Sequence, residues 1–171
     1  IGPYAQATAS NATALGNNAT ASGDYSIAIG DANADAYFSV AIGKDADTNG
    51  IRGKYAFACS DFSASGDAQT GIYVLRSDTT DATAEALTTN KSTASTDNQI
   101  ILPNNSAHAF HGTIVARQQA AGGTASAAWK IEGLIRREGS AGTTVLVNSA
   151  TTVLDNTPSW GMALSADTTN G

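Results

Sequence analysis

Along the first third of the chain, small and apolar residues recur with a period that no helix produces. Asn11-Ala12-Thr13-Ala14-Leu15-Gly16, Tyr25-Ser26-Ile27-Ala28-Ile29-Gly30 and Phe38-Ser39-Val40-Ala41-Ile42-Gly43 follow one another at steps of 14 and 13 residues. A degenerate fourth copy reads Tyr55-Ala56-Phe57-Ala58-Cys59-Ser60, displaced by an insertion over residues 50–54. Between the copies lie polar half-repeats: Ala19-Thr20-Ala21-Ser22-Gly23, Ala32-Asn33-Ala34-Asp35-Ala36 and Ala46-Asp47-Thr48-Asn49-Gly50. A fixed short period of this kind predicts a solenoid whose unit is a strand and turn of about seven residues, used twice per coil.

Strand alternation turns the pattern into faces, because residues i and i+2 share a side. The Ala and Ser positions at 12 and 14, 19 and 21, 26 and 28, and 39 and 41 point one way, into a space that only methyls and hydroxyls fill. Gly16, Gly23, Gly30, Gly43 and Gly50 fall where the coils must turn tightly. The opposite faces differ: Thr13/Leu15, Ile27/Ile29, Val40/Ile42 and Phe57/Cys59 are apolar, while Thr20/Ser22, Asn33/Asp35 and Asp47/Asn49 are polar. An apolar stripe on the outside of a coil already filled with alanine invites association, so it predicts an oligomer interface. Its residues are Leu15, Ile27, Ile29, Val40, Ile42, Phe57 and Cys59.

The S-[VI]-A-I-G copies separated by polar half-repeats resemble the head domain of trimeric autotransporter adhesins, the YadA-like heads, over residues 5–68. The resemblance implies a left-handed parallel β-roll, with three rolls packed about a three-fold axis through the apolar stripe. No segment matches that family's coiled-coil stalk or membrane anchor.

From Thr70 the pattern changes to longer strands at residues 71–76, 99–102, 109–117, 127–138, 143–148 and 161–164, with a weak one at 85–88. Turn signals separate the later ones at Pro103-Asn104-Asn105, Ala121-Gly122-Gly123, Gly139-Ser140-Ala141-Gly142 and Asn156-Thr157-Pro158. Phe110, Gly112, Ile114 and Ala116 share one face of their strand, and Trp129, Ile131, Gly133 and Ile135 one face of theirs. The fold class expected is therefore all-β: a trimeric left-handed β-roll over residues 1–69, then an antiparallel β-sandwich or jelly-roll-like domain over 70–171. The chain opens without an initiator Met and closes on the turn-like Asp167-Thr168-Thr169-Asn170-Gly171, so a longer native polypeptide, truncated here at its C-terminus, is expected.

Composition agrees with this reading and narrows the function. Charged residues are 14% and aromatics 6% of the 171 residues, and the formal charge is −6. No basic field exists to grip nucleic acid or anionic lipid, and no apolar run is long enough to cross a membrane as a helix. The lone Cys59 excludes an internal disulfide or a cysteine-based zinc cluster, and on the apolar stripe it reads as a small buried hydrophobe.

Candidate chemistry is sparse. Asp45-Ala46-Asp47-Thr48-Asn49-Gly50 has the oxygen spacing of a calcium loop, but Ala56 stands where the bidentate acid belongs. Asp45, Asp47 and Asn49 are thus a calcium candidate beside the simpler reading of a solvated turn. His108 and His111 are spaced to opposite faces of a strand and cannot bind a metal together in one chain, although copies about an axis could. No G-x-S-x-G elbow occurs, and three glutamates (Glu85, Glu132 and Glu138) give little for glycoside cleavage. Arg136-Arg137 reads as one outward and one inter-subunit arginine. No cofactor is expected.

Coupling an adhesin-like roll to a Thr/Ala/Gly-rich β-domain resembles bacteriophage tail fibres and receptor-binding proteins; the segments from Asn98-Gln99-Ile100-Ile101-Leu102-Pro103 to Ala128-Trp129-Lys130-Ile131-Glu132-Gly133 carry this likeness. It implies a non-enzymatic homotrimeric fibre segment of a virion, joined to other tail-fibre segments and binding a host surface receptor, with polysaccharide the expected class. Exposed loops such as 77–97 would make the contact. The alternatives are an adhesin head on a bacterial cell surface and a tailspike with glycosidase activity.

Overall fold

The computed structural model describes residues 1–119 and 122–171. They form two compact units, Ile1–Pro103 and Asn104–Gly171. The division falls well after the change of pattern at Thr70, because the segment beyond it stays with the first unit. Strand pairing continues through residues 69–72, Arg76 and Thr88 form an isolated bridge, and the Arg52 amide donates to the Asp97 carbonyl.

The first unit is a β-solenoid of about four turns. Its strands are β1 (Gln6–Ala7), β2 (Thr13–Leu15), β3 (Thr20–Ala21), β4 (Ile27–Ala34), β5 (Val40–Asp47) and β6 (Tyr55–Ala58), all paired in parallel. Ala14, Ala28, Ala41 and Ala56 stack in register, as do Ala7, Ala21 and Ala34. Apart from Ala7, which lies exposed on the first coil, these alanines form one core with Ala19, Ala32, Ala46 and Ala58. Ser26, Ser39 and Thr48 are buried among them. A coil of only 13 or 14 residues encloses a narrow interior, and this is why methyl-sized groups fill it. One register shift between Asp31 and Asn33 absorbs the change from a 13- to a 14-residue step. β7 (Gln69–Ile72) then caps the sheet antiparallel to β6.

The second unit is a single three-stranded antiparallel sheet, in the order β10 (Val145–Asp155), β9 (Ser126–Arg137), β8 (Ser106–Arg117). Among the described residues the predicted strands at 99–102 and 161–164 are not strands, and 85–88 contributes only the Thr88 bridge. The antiparallel part is thus one layer rather than a two-layer sandwich, because three long strands consume the residues that several short ones would have needed. The turn at Gly139–Gly142 contains a short 3-10 turn, Ala141–Thr143; Ala121 of the other predicted hairpin turn lies outside the described residues. The expected faces are present. Phe110 lies opposite Gly133, Gly112 opposite Ile131 and Ile114 opposite Trp129, so bulky side chains meet glycine or a flat ring. Among the described residues of this unit, Ala127 and Trp129 alone are buried apolar residues. Among the described residues no helix is long and apolar enough to cross a membrane.

Candidate functional site

Two continuous apolar ladders climb the outside of the roll. Leu15, Ile29, Ile42 and Phe57 are paired coil to coil, and beside them run Thr13, Ile27, Val40, Tyr55 and Ile72. Leu15 is 45% and Phe57 50% exposed, Ile27 is exposed, and Ile29, Val40 and Ile42 are half-buried by their neighbours along the ladder. The alternation that buries Ala28 and Ala41 necessarily turns Ile27, Ile29, Val40 and Ile42 outward. Cys59 lies one residue past the last pair, Gly43 with Ala58, and its thiol is exposed in the single chain.

The glycines do more than turn. Gly16, Gly30 and Gly43 have φ of 128°, 102° and 107° and stack directly on one another. A Cβ on Gly30 would lie 2.6 Å from the Gly43 carbonyl oxygen, and one on Gly43 1.9 Å from that of Ala58. Gly23 lacks the positive φ, but a Cβ there would lie 2.1 Å from the Ala36 oxygen, so close approach alone requires it. Gly50 has φ 69° with open space around it.

The other wall is closed by side-chain hydrogen bonds. Asn33 Nδ2 donates to Asp47 Oδ2 at 3.2 Å, Thr48 Oγ1 to Asp35 Oδ1 at 2.6 Å, and the Gly50 amide to the same Asp35 oxygen at 2.8 Å. Gln69 Nε2 bridges the Asp47 carbonyl and Asn49 Oδ1 at 2.9 and 3.0 Å. Into this network the insertion delivers Lys54, 2% exposed, whose Nζ donates to Asn49 Oδ1 at 2.6 Å. Burial pushes its pKa down to about 8, with Asp47 and Asp35 pulling the other way. The calcium candidate therefore has its oxygens engaged by this chain's own groups: Asn49 by Lys54 and Gln69, Asp47 by Asn33 and the Asn49 amide, and Asp45 by Lys44 at 2.5 Å. Among the described residues no cluster of three acids, histidines or cysteines is placed to hold a metal.

Sequence reasoning missed Lys54 and also the corners. Asn11, Asn18, Tyr25 and Phe38 have left-handed backbone, with φ between 55° and 58°. Asn adopts this readily, whereas Tyr and Phe do not, and an aromatic one residue before each S-[VI]-A-I-G copy was the available signal. Around these corners Tyr25, Tyr37 and Phe38 pack ring to ring, with the Arg52 guanidinium 4.2 Å from the Tyr37 centroid.

In the second unit His108 lies on the half-buried face of β8, and His111 on its exposed face opposite Glu132. Arg136 is outward and bonds Glu138 at 2.6 Å, while Arg137 lies on the half-buried face. Asp67 and Asp81 are held below the ordinary carboxylate range by backbone amides, led by those of Phe62 and Thr83.

Against known proteins, the family model for the YadA head domain repeat matches residues 1–19, 7–32 and 30–46. No curated protein and no solved structure matches the chain. The matched segments are those in which the alanine-filled coils and the outward apolar ladder begin, so the coils over residues 1–46 are YadA-like head repeats.

Proposed function

We propose that the chain is a non-enzymatic attachment module that works as a homotrimer. Three rolls pack through Leu15, Ile27, Ile29, Val40, Ile42, Phe57 and the adjoining Cys59 to give a rigid spacer, and exposed loops such as 77–97 present themselves to a surface receptor. The observation that carries this is the apolar ladder facing outward from a core already complete in one chain. Such a wall is stable in water only when covered. The match to YadA head repeats supports the same assembly. Sedimentation equilibrium at micromolar concentration tests it: three times the chain mass is expected, and a monomer would sink the reading.

Two settings suit such a module. A bacterial surface adhesin head is favoured by the head-repeat match; a segment of a phage tail fibre, joined to other fibre segments and binding host polysaccharide, is favoured by the attached Thr/Ala/Gly-rich sheet unit. Immunogold labelling with antibody against the chain discriminates them, decorating cell surfaces in the first case and virion tails in the second. Release of reducing sugar from a bound polysaccharide would instead make it a glycosidase.

A further inference from the structure

Equivalent corners of successive coils carry Asn11, Tyr25 and Phe38, all with φ of 55° to 58°. The small polar residue suits that backbone; the two aromatics are strained in it. Burial does not offset the strain, since Tyr25 is 46% and Phe38 52% exposed. Their rings meet at 5.0 Å and both touch Tyr37, at 5.6 and 4.4 Å, forming an aromatic surface at the edge of the wall.

Beside Phe38 lies a hollow of about 240 Å³ lined by Phe38, Arg52, Gly53, Val74, Arg76 and Thr89. Within Ile1–Pro103 the three lysines each bond an oxygen: Lys44 of Asp45, Lys54 of Asn49 and Lys91 of Asp78. The two arginines, both on this hollow, bond no carboxylate among the described residues, although the chain carries six excess negative charges. Arg52 is instead held over Tyr37 and 5.9 Å from the centre of Phe38. Thr89 Oγ1, also on the hollow, is buried without a hydrogen-bond partner. Two like charges and an unsatisfied hydroxyl around one opening match an anionic oxygen ligand, and planar guanidinium forks favour a carboxylate.

We propose that this corner binds one carboxylated sugar unit of a surface glycan. Arg52 and Arg76 take the carboxylate, Thr89 a ring or hydroxyl oxygen, and the Phe38 ring the apolar face of the sugar. The hollow falls below the ~300 Å³ at which clefts for larger ligands begin, so it suits a single ring with the rest of the polymer outside, not an extended acidic peptide. The choice of a glycan rests on the attachment reading above.

The test titrates the full chain with D-glucuronate, D-glucose and an oligoglutamate peptide, following amide resonances by NMR. Saturable shifts centred on Arg52, Gly53, Arg76 and Thr89 are expected with glucuronate, and binding at least tenfold weaker with glucose. Arg52→Ala with Arg76→Ala should abolish them while sedimentation stays unchanged. Phe38→Asn, which installs the residue type of Asn11, should raise the melting temperature and weaken glucuronate binding at least fivefold. No saturable shift, an equal response to glucose, or oligoglutamate binding in place of glucuronate would each overturn the site. So would Phe38→Asn dissociating the oligomer with binding intact, which would assign the ring to assembly. Glucuronate binding by a chain that fails to attach to cells leaves the site standing and removes the attachment reading alone; attachment without glucuronate binding does the reverse.

Discussion

The two units solve the problem of a core in opposite ways. Among the described residues, thirteen of the fifteen buried apolar ones lie in Ile1–Pro103, most of them alanines stacked between coils, and two, Ala127 and Trp129, lie in Asn104–Gly171. In the roll, each coil is covered by the ones above and below, so one chain completes the interior and leaves only its outer wall in need of a partner. Among the described residues the sheet has small-against-large pairing across β8 and β9 but no second layer, and β10 exposes Val145, Val147, Val153 and Leu154. A single layer cannot bury both its faces. In the proposed trimer a partner would cover the wall of the first unit and supply the second unit with the layer it lacks.

The sharpest way to break this contrast is to overfill the roll. Ala28→Leu places a branched side chain at a position with no exposure and fixed coils on both sides, where the structure cannot relax. We expect loss of the folded roll, at a cost above about 3 kcal/mol, whereas Ile29→Ala should leave the monomer fold nearly intact. Circular dichroism melts of the two variants check the order. Equal shifts would mean that the alanine face is not the interior.

Next in size is the wall itself. Ile42→Asp puts three carboxylates in an apolar interface of the proposed trimer, costing several kcal/mol through desolvation and repulsion. The roll should stay folded because Ile42 does not belong to its core cluster. If the proposed trimer also covers the sheet unit, that unit should lose hydrogen-exchange protection in the same variant. Protection lost equally from both units would show that they do not differ in dependence on a partner.

These contrasts were unevenly legible in the amino-acid order. Alternation at a short fixed period exposed the roll, its alanine interior and the Ile27–Val40 and Ile29–Ile42 rows, because each coil repeats the same local demand. The paired faces of β8 and β9 were legible for the same reason. What repeats nowhere was not: Lys54 reaches Asn49 only because the fourth coil is displaced by the insertion, and the hollow joins Phe38 to residues of a segment, 70–103, whose path has no period. The number of layers in the second unit was also hidden, since strand patterns report which face is apolar and not what covers it.

Within the sheet, Gly133→Ala is expected to cost about 2–3 kcal/mol. A Cβ there would lie 2.5 Å from the Asn148 carbonyl oxygen and 2.7 Å from Phe110 Cζ, so both the β9–β10 ladder and the ring above it must move. Gly112→Ala, with Ile131 at 3.6 Å as its nearest contact, should be near neutral. Thermal melts comparing the two show whether fit between strands holds this layer; matching losses would deny it.

The smallest effect is a pH dependence confined to the roll. Lys54 has its folded pKa lowered to about 8 against 10.5 for the free side chain, so between these values the unfolded chain binds more protons than the native one. Stability from this group is therefore present at high pH and lost as pH falls toward 8. Between pH 8 and 10 it should rise by about 2 kcal/mol. Above pH 10 Tyr73 acts oppositely: burial raises its phenol to about 12, so its contribution is full below 10 and lost on the way to 12. Denaturant midpoints should climb from pH 8 to 10 and turn down beyond. Lys54→Met should remove the climb and keep the downturn, because Asn49 retains Gln69 as a partner and Tyr73 is untouched. A climb surviving in that variant would place the titrating group elsewhere.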